Sequence, residues 1–461
     1  MWAPMATACH RAVEPAALGD PSRLTNSDRP VYCEARTRQM GLVATLGVVV
    51  SGSVRHAVHR RDRDLIGPTA ALGLMASIVV SFLAASSAPT PLYATYQAEW
   101  GYTPITTTVV FGVYAVAVLV SLLIFGRISD HLGRRPVLLA ALAVQAVAML
   151  VFATADGVTA LLVARVVQGL STGVAVGAVG AGMLDIDRAR GTVANSVAPG
   201  IGTATGALAS ALIVQYLPAP AHLIYLLLLA VFVLQAVGVT LMRETASPKP
   251  GALASLVPEI VLPRQVRRPV LIAAPVLFAV WSLAGFYGSL GPALTGTLVH
   301  SHSAVYGGLS LFILAGVAAV SVLLLRNAPT RTVLYAGALA LIIGVGVTLV
   351  SIGVSSAAGF FVGSAISGVG FGSGFQGGIR LVMPLARPHE RAGVLSLLYV
   401  VSYLGMGLPA VIAGVLVVHL DGLLGTAREY GIAVILLAGV ALIGLLTNRQ
   451  ASSPVPATAN P

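Results

Sequence analysis

A short stretch between two apolar runs combines glycines with opposite charges: Gly126-Arg127-Ile128-Ser129-Asp130-His131-Leu132-Gly133-Arg134-Arg135-Pro136. Gly126 and Gly133 permit a tight turn, and Asp130 and Arg134 can form charge-assisted hydrogen bonds at a helix boundary. Such a cluster makes a latch that can break and form again. The alternative is a basic loop that only fixes the orientation of the chain in a membrane.

Arg165 is a second candidate because it interrupts an apolar run, residues 157 to 184, that is otherwise uncharged. Ionisable residues inside a membrane span are costly and are functional hypotheses by default. The alternative is that Arg165, about two turns from Asp156, extends its side chain to the membrane surface. Arg380 lies near the end of another apolar run and is interpreted as an anchor.

Two other patterns predict little chemistry. His300 and His302 lack a third nearby ligand, so they do not predict a metal site, and they are the only hint of an intramembrane enzyme. The glycine-rich run 200–206 is similar to a dinucleotide-binding loop, but no strand precedes it and no acidic residue follows at the required distance. We therefore predict no metal and no cofactor.

The composition indicates which elements hold these residues. Of 461 residues, 57% are apolar and 9% are charged, whereas about a quarter of an average soluble domain is charged. Between charged residues the chain has apolar runs of about 20 residues, the length of one spanning helix, or of about twice that length. Each longer run has a turn signal near its middle, at 217–222, 300–303 and 351–356. The sequence therefore predicts an all-α membrane protein with twelve transmembrane helices.

Lys and Arg residues are concentrated in alternate loops, among them the loops that hold Arg127, Arg188 and Arg326. The loops on the opposite side have a single basic residue of this kind, Arg428. Because cytoplasmic loops are enriched in basic residues, both termini are predicted in the cytoplasm and the chain in the inner membrane. This distribution accounts for the pI near 10.1 without a nucleic-acid partner. We expect a monomer embedded in a lipid bilayer.

The chain divides into two similar halves. Arg190-Gly191-Thr192-Val193-Ala194-Asn195 pairs with Arg391-Ala392-Gly393-Val394-Leu395-Ser396, and each follows a glycine-rich helix. The predicted domains are a disordered cytoplasmic extension (1–66), a six-helix bundle (67–242), a cytoplasmic linker (243–268), a second six-helix bundle (269–449) and a cytoplasmic tail (450–461).

The loop 126–136 resembles the signature between spans two and three of the major facilitator superfamily, with His131 where the family usually has arginine. Arg165, Gln168 and Gly169 are similar to the family's span-four signature Arg-x-x-Gln-Gly. A third segment resembles the span-five antiporter signature, although Ala198 and Thr203 replace two of its glycines. Its matching residues are Pro199, Gly200, Gly202 and Gly206.

The resemblance covers residues 67–449 and implies two pseudo-symmetric six-helix bundles that work by rocker-switch alternating access. It also implies that Asp130 faces the start of span eleven, that Arg134 pairs with an acid at the end of span four, for which Asp185 is the candidate, and that Arg165 takes part in proton coupling. Aromatic and amide residues on the helices that line the family's central cavity are the substrate candidates: Tyr114, Trp281, Tyr287, Gln376, Tyr399 and Tyr403.

The function implied is proton-coupled export of small amphiphilic molecules or drugs, with a small-molecule substrate and protons as partners. No Asp, Glu or Lys falls in the middle of a predicted span. Proton antiport therefore depends on the resemblance, and a strongly cationic substrate would lack a buried counter-charge. The alternatives are an importer or uniporter of a small metabolite and a solute sensor on a transporter fold.

Overall fold

The computed structural model describes residues 66–301 and 303–447, so the predicted extension 1–66 (apart from its last residue), His302 and the predicted tail 450–461 lie outside the described residues. Within the described part, twelve helices are long and apolar enough to cross a membrane, which confirms the predicted all-α fold. They are α1 (Pro68–Trp100), α2 (Pro104–Phe125), α3 (Arg134–Ala153), α4 (Val158–Ile186), α5 (Arg188–Tyr216), α6 (Pro220–Leu241), α7 (Arg264–Ser289), α8 (Ala304–Leu324), α9 (Thr330–Gly353), α10 (Ala357–Leu385), α11 (Arg391–His419) and α12 (Gly422–Thr447).

The predicted linker is shorter in the structure, because α7 begins at Arg264 and not at Pro269. Pro263 precedes the first turn, and Val266 and Val270 are buried on one side of the helix. This apolar spacing extends α7 backward through the basic residues that the sequence analysis assigned to the linker. Residues 242–263 therefore connect the halves.

Equivalent helices of the two halves pack in the same way. In the first half α1 packs on α5, α2 on α4, and α3 on both α4 and α6; in the second, α7 packs on α11, α8 on α10, and α9 on both α10 and α12. The halves meet through α5 against α8 and α2 against α11, and each of these pairs is the equivalent of the other. This arrangement is a two-fold pseudo-symmetric pair of six-helix bundles.

Small residues allow the backbones to approach closely inside each bundle. A Cβ on Gly169 would lie 2.9 Å from the carbonyl oxygen of Tyr114, so α4 packs directly on the backbone of α2. A Cβ on Gly202 or Gly206 would overlap backbone atoms of Val80 or Ala84 in α1. Such small-residue contacts are typical of membrane helices, because lipid gives apolar helices little reason to associate.

Candidate functional site

Arg134, the first residue of α3, joins two carboxylates near the membrane surface. Its Nη1 lies 2.5 Å from Asp130 Oδ1, and its Nε lies 3.1 Å from Asp185 Oδ2 at the end of α4. Nη1 also donates to Ser129 Oγ at 2.7 Å. Because the Arg134 side chain is only 9% exposed, water screens these charges less than it screens a surface pair.

We call this end of the bundle the loop face, and the end that holds the α1–α2 turn the far face.

Glu244, which follows α6, caps the first turn of α3. Its carboxylate accepts hydrogen bonds from the backbone N–H groups of Arg134 at 2.8 Å and Arg135 at 3.0 Å. These N–H groups lie in the first turn of α3, so they have no acceptor within the helix itself. The Arg135 side chain donates to the carbonyl of Thr240 in α6. No local pattern in the sequence predicts the role of Glu244, since only the packing of α3 on α6 brings this acid to a helix that begins 110 residues earlier.

Glycine is required at positions 126 and 133 of the loop for two different structural reasons. Gly133 has a φ of +99°, and a Cβ there would lie 2.7 Å from Glu244 Oε2. Glycine therefore relieves both backbone strain and crowding at the cap. Gly126 lies under α4, because a Cβ on Gly177 would be 3.1 Å from the Gly126 carbonyl oxygen.

That Asp130 faces the start of α11 stays a prediction. Its carboxylate pairs with Arg134, and the linker packs on the first turn of α11. The N–H of Val261 donates to the carbonyl of Gly393 at 3.3 Å, and a Cβ on Gly393 would lie 2.7 Å from Val261 Cγ2.

Arg165 lies inside the first half with 0% of its surface exposed, so the alternative that it reaches the membrane surface is wrong. Nη1 donates to the Ser86 carbonyl at 2.9 Å and to Gln168 Oε1 at 2.8 Å, and Nη2 donates to the Tyr93 hydroxyl at 2.5 Å. The guanidinium also lies 5.2 Å from the centre of the Tyr114 ring. All these partners are uncharged, so this buried cation has no carboxylate partner within the described part of the chain.

Proline in α1 explains why these donors are needed. The carbonyl of Ala85 would bond to the N–H of residue 89 in a regular helix, but Pro89 has no N–H. Gln168 Nε2 donates to that carbonyl at 3.0 Å, and Arg165 satisfies the next carbonyl, that of Ser86. The two span-four residues therefore hold α1 where its own hydrogen-bond ladder is interrupted.

An aromatic cluster surrounds Trp281 of α7 in the second half. The Trp281 ring centre lies 5.2 Å from Tyr403, 5.5 Å from Phe375 and 5.9 Å from Phe371, and Tyr399 lies 6.4 Å from Tyr403. All five side chains are partly exposed. Trp281 and Tyr403 pack against an apolar cluster, contributed by α2 and α11, that contains Tyr114.

Two of the predicted cavity residues have other surroundings. Tyr287 is buried in the core of the second half, where its hydroxyl lies 2.7 Å from Ser364 Oγ and its ring stacks on Phe360. Gln376 Nε2 donates to the Val322 carbonyl at 3.2 Å. Its Oε1 has no partner among the described residues. The sequence analysis missed Phe371 and Phe375, whose four-residue spacing puts both rings on one side of α10.

The two halves touch closely from the middle of the membrane to the far face. Thr90 Oγ1 donates to the Gly288 carbonyl at 2.9 Å, which joins α1 to α7. A Cβ on Gly308 would overlap Ala211 of α5, and one on Gly112 would lie 2.9 Å from Val411 of α11. In the antiporter-like run, Gly200 also contacts the other half, since a Cβ there would lie 2.9 Å from the Cβ of Ala319.

Comparison with known proteins agrees with this architecture. A family model for the Major Facilitator Superfamily matches residues 74–409. The chain belongs to the major facilitator superfamily. This superfamily member is therefore a multi-pass membrane transporter and not an enzyme.

Two known proteins are similar to this superfamily member. A 65-residue segment is 43% identical to Multidrug resistance protein D of Escherichia coli (strain K12). The aligned segment covers 14% of this chain and 16% of that protein. The chain thus spans about one sixth of the length of this curated relative. The crystal structure of a point mutant of the nucleoside transporter NupG matches with a TM-score of 0.61 at 12% identity, covering 83% of this chain and 98% of that one. At this identity, the likeness shows a shared fold.

Proposed function

We propose that this transporter exports small amphiphilic molecules by alternating access, driven by protons that enter the cell. The main support is the aromatic cluster around Trp281, whose partly exposed rings lie between the halves while the far face is packed shut. A mostly apolar surface with a few polar groups suits amphiphilic ligands. In this arrangement substrate enters from the loop face and leaves after the far face opens.

Export is favoured over import by the residues that resemble drug-efflux members of the family. The span-five glycines lie at the contacts of α5 with α1 and α8, where they affect how the halves move. The segment similar to Multidrug resistance protein D also favours export. The second candidate is import of a small metabolite such as a nucleoside, which the fold likeness to NupG supports.

Proton coupling is proposed without a carboxylate in the membrane interior. Asp130 and Asp185, at the loop face of the first half, both form ion pairs with Arg134. A proton taken up by either acid would remove a negative charge from this group and weaken the contact between the loop and α4. We also propose a monomer in the inner membrane, with both termini and the loop face in the cytoplasm.

A flux assay distinguishes these functions. The full chain is purified into liposomes, its orientation is determined, and uptake of neutral, anionic and cationic amphiphiles and of nucleosides is measured with and without a pH gradient. Export coupled to protons predicts movement of an amphiphile against proton flow, and its abolition when the gradient is collapsed. Nucleoside uptake that follows the proton gradient would favour the importer.

The proposed latch has its own test, Asp130→Asn. Loss of the Asp130 charge breaks the pair with Arg134, so we expect transport to fall at least tenfold while the amount of protein in the membrane stays unchanged. Asp187→Asn is the matched control, because asparagine caps the start of α5 as well as aspartate does. Transport at the wild-type rate by Asp130→Asn would refute the latch.

A further inference from the structure

The side chains of the aromatic cluster are partly exposed, and one polar atom within the cluster has no partner among the described residues. Phe371 and Phe375 meet Trp281 edge-on, at interplanar angles of 65° and 78°. The Trp281 Nε1–H is buried and has no hydrogen-bond partner among the described residues. An unpaired buried polar atom costs free energy, so a ligand that pairs with it gains affinity. A planar ring with a hydrogen-bond acceptor fits Trp281.

The charge next to this cluster is positive. The guanidinium of Arg165 lies 5.2 Å from the centre of the Tyr114 ring, and Tyr114 belongs to the apolar cluster against which Trp281 and Tyr403 pack. Because the described contacts of Arg165 include no carboxylate, its charge is not neutralised. In an interior of low dielectric constant, an unpaired cation repels a second cation more strongly than it would in water.

We infer that the Trp281 cluster binds planar aromatic molecules that are uncharged or anionic and that it discriminates against cations. This inference rests on the proposed transport function, because it assigns the substrate class of the same site. The attraction of aromatic ring faces for cations opposes the repulsion that Arg165 exerts on a cationic ligand. Arg165 prevails because it is a full charge without a counter-ion, whereas the ring faces carry only partial charges.

Three probes that share one ring system test this selectivity: naphthalene bearing a carboxamide, a carboxylate or a trimethylammonium group. Equilibrium dialysis with the full chain in lipid nanodiscs should give dissociation constants at least tenfold weaker for the cation than for the carboxamide. Binding of the cation with equal or greater affinity, or no binding of any probe at millimolar concentration, would overturn the inference. Binding without flux in liposomes would reject the transport proposal alone.

Gln168→Glu is nearly isosteric but also removes the Nε2–H donor to the Ala85 carbonyl, so it is compared with its parent in the Pro89→Ala background, where the N–H of residue 89 can bond to that carbonyl. Gln168→Glu gives Arg165 a carboxylate at the position of Gln168 Oε1, now 2.8 Å from Nη1, so cation binding should improve at least tenfold while carboxamide binding stays within twofold. Trp281→Phe should weaken the carboxamide about tenfold through loss of the Nε1–H, and Trp100→Phe at the far face is its matched control. Unchanged charge selectivity in Gln168→Glu would show that Arg165 does not set it.

The linker joins the two halves at the loop face. Lys249 N–H donates to the His131 carbonyl at 3.1 Å, and Glu259 forms an ion pair with Arg127 at 2.5 Å. Two residues later, Val261 bonds to Gly393 and packs into the space that a side chain on this glycine would occupy. Residues 249–261, here called the strap, therefore tie the α2–α3 loop to the first turn of α11.

We propose that the strap acts as a brake on closure of the loop face. For the loop to approach α11, Val261 must first leave Gly393, so the strap stabilises the conformation in which the far face is shut. A contact made in one of two conformations shifts the equilibrium by its own free energy. Weakening the strap should therefore increase the population with an open far face.

Thiol labelling measures this population without depending on flux. Thr108 is buried at the far face, where a Cβ on Gly414 of α11 would overlap it, so Thr108→Cys in a chain with Cys9 and Cys33 replaced by serine reports far-face opening. Gly393→Ala, whose new methyl displaces Val261, and Glu259→Gln should each label at least threefold faster. Gly439→Ala, in open surroundings, is the control.

A charge exchange distinguishes the brake from general loosening. Arg127→Glu combined with Glu259→Arg restores the ion pair with the charges exchanged, so Thr108→Cys in this double variant should label within twofold of the parent's rate. Each single change should accelerate labelling. Equal labelling of all strap variants and the parent would reject the brake. Failure of the exchange to restore the rate would also reject it.

Discussion

At the residue scale, each buried charge of this transporter has a specific set of partners. Arg165 donates to the Ser86 carbonyl, to Gln168 Oε1 and to the Tyr93 hydroxyl. Arg134 instead forms ion pairs with two carboxylates, those of Asp130 and Asp185. The first arrangement keeps a net positive charge inside the bundle, and the second makes a group of charges that protonation can alter.

Glu244→Ala tests the cap of α3. Loss of the carboxylate leaves two N–H groups at the helix start without acceptors, so we expect a loss of about 1–2 kcal/mol in the free energy of unfolding. Thermal unfolding in detergent measures it as a lower melting temperature. Glu99→Ala, at an exposed far-face position, should stay within about 0.5 kcal/mol of the wild type. Equal melting temperatures for both variants would contradict the cap.

At the element scale, α1 depends on α4 for its hydrogen bonds. A regular helix satisfies its own carbonyls, but Pro89 interrupts α1 in a place where lipid and protein exclude water. Gln168 replaces the missing donor, so the Arg-x-x-Gln-Gly pattern of α4 has a structural role at the interruption. Its sequence spacing puts Arg165 and Gln168 on one face of α4, one turn apart.

A double-mutant cycle tests this dependence. Gln168→Leu alone leaves the Ala85 carbonyl unpaired and should destabilise the protein by about 1–3 kcal/mol. In a Pro89→Ala background, the new N–H of residue 89 can bond to that carbonyl, so the same change should cost about 1 kcal/mol less. Chemical denaturation in detergent gives the four stabilities. Additive effects would show that Gln168 does not compensate for the proline.

At the scale of the whole molecule, the pseudo-symmetric contacts between halves define which face is shut. α5 on α8 and α2 on α11 are equivalent pairs, and glycines at 112, 308 and 414 allow their close approach near the far face. Alternating access requires these contacts to separate while the loop face closes. The tightness of the far-face contacts therefore affects the balance between conformations.

Gly308→Val should act as a wedge at this contact. Its side chain would overlap Ala207 and Ala211 of α5, so the far face should open, with Thr108→Cys labelling at least tenfold faster and transport falling at least tenfold. Gly346→Val, where no atom lies near the added Cβ, is the matched control. Fast transport with slow labelling in Gly308→Val would contradict the assigned closed face.

The sequence by itself predicted what depends on local pattern and on solvent. Scarce charge and runs of spanning length require twelve helices in lipid, since every buried backbone group must be bonded within its own segment. The motif containing Asp130 and Arg134 was recognisable because its residues are close in the chain. The segments with turn signals, such as 217–222, end helices for reasons of local chemistry.

Only the tertiary structure decided which distant groups meet. Glu244 at the start of α3, Val261 on Gly393 and the rings of Phe371 and Phe375 beside Trp281 all depend on helix packing. Tyr287, a predicted cavity residue, is buried in the core of the second half. A span contains residues that face the core and residues that face the cavity, and its uniform apolarity hides the difference. In lipid both faces are apolar, so the hydrophobic periodicity that locates a core in soluble proteins gives little information.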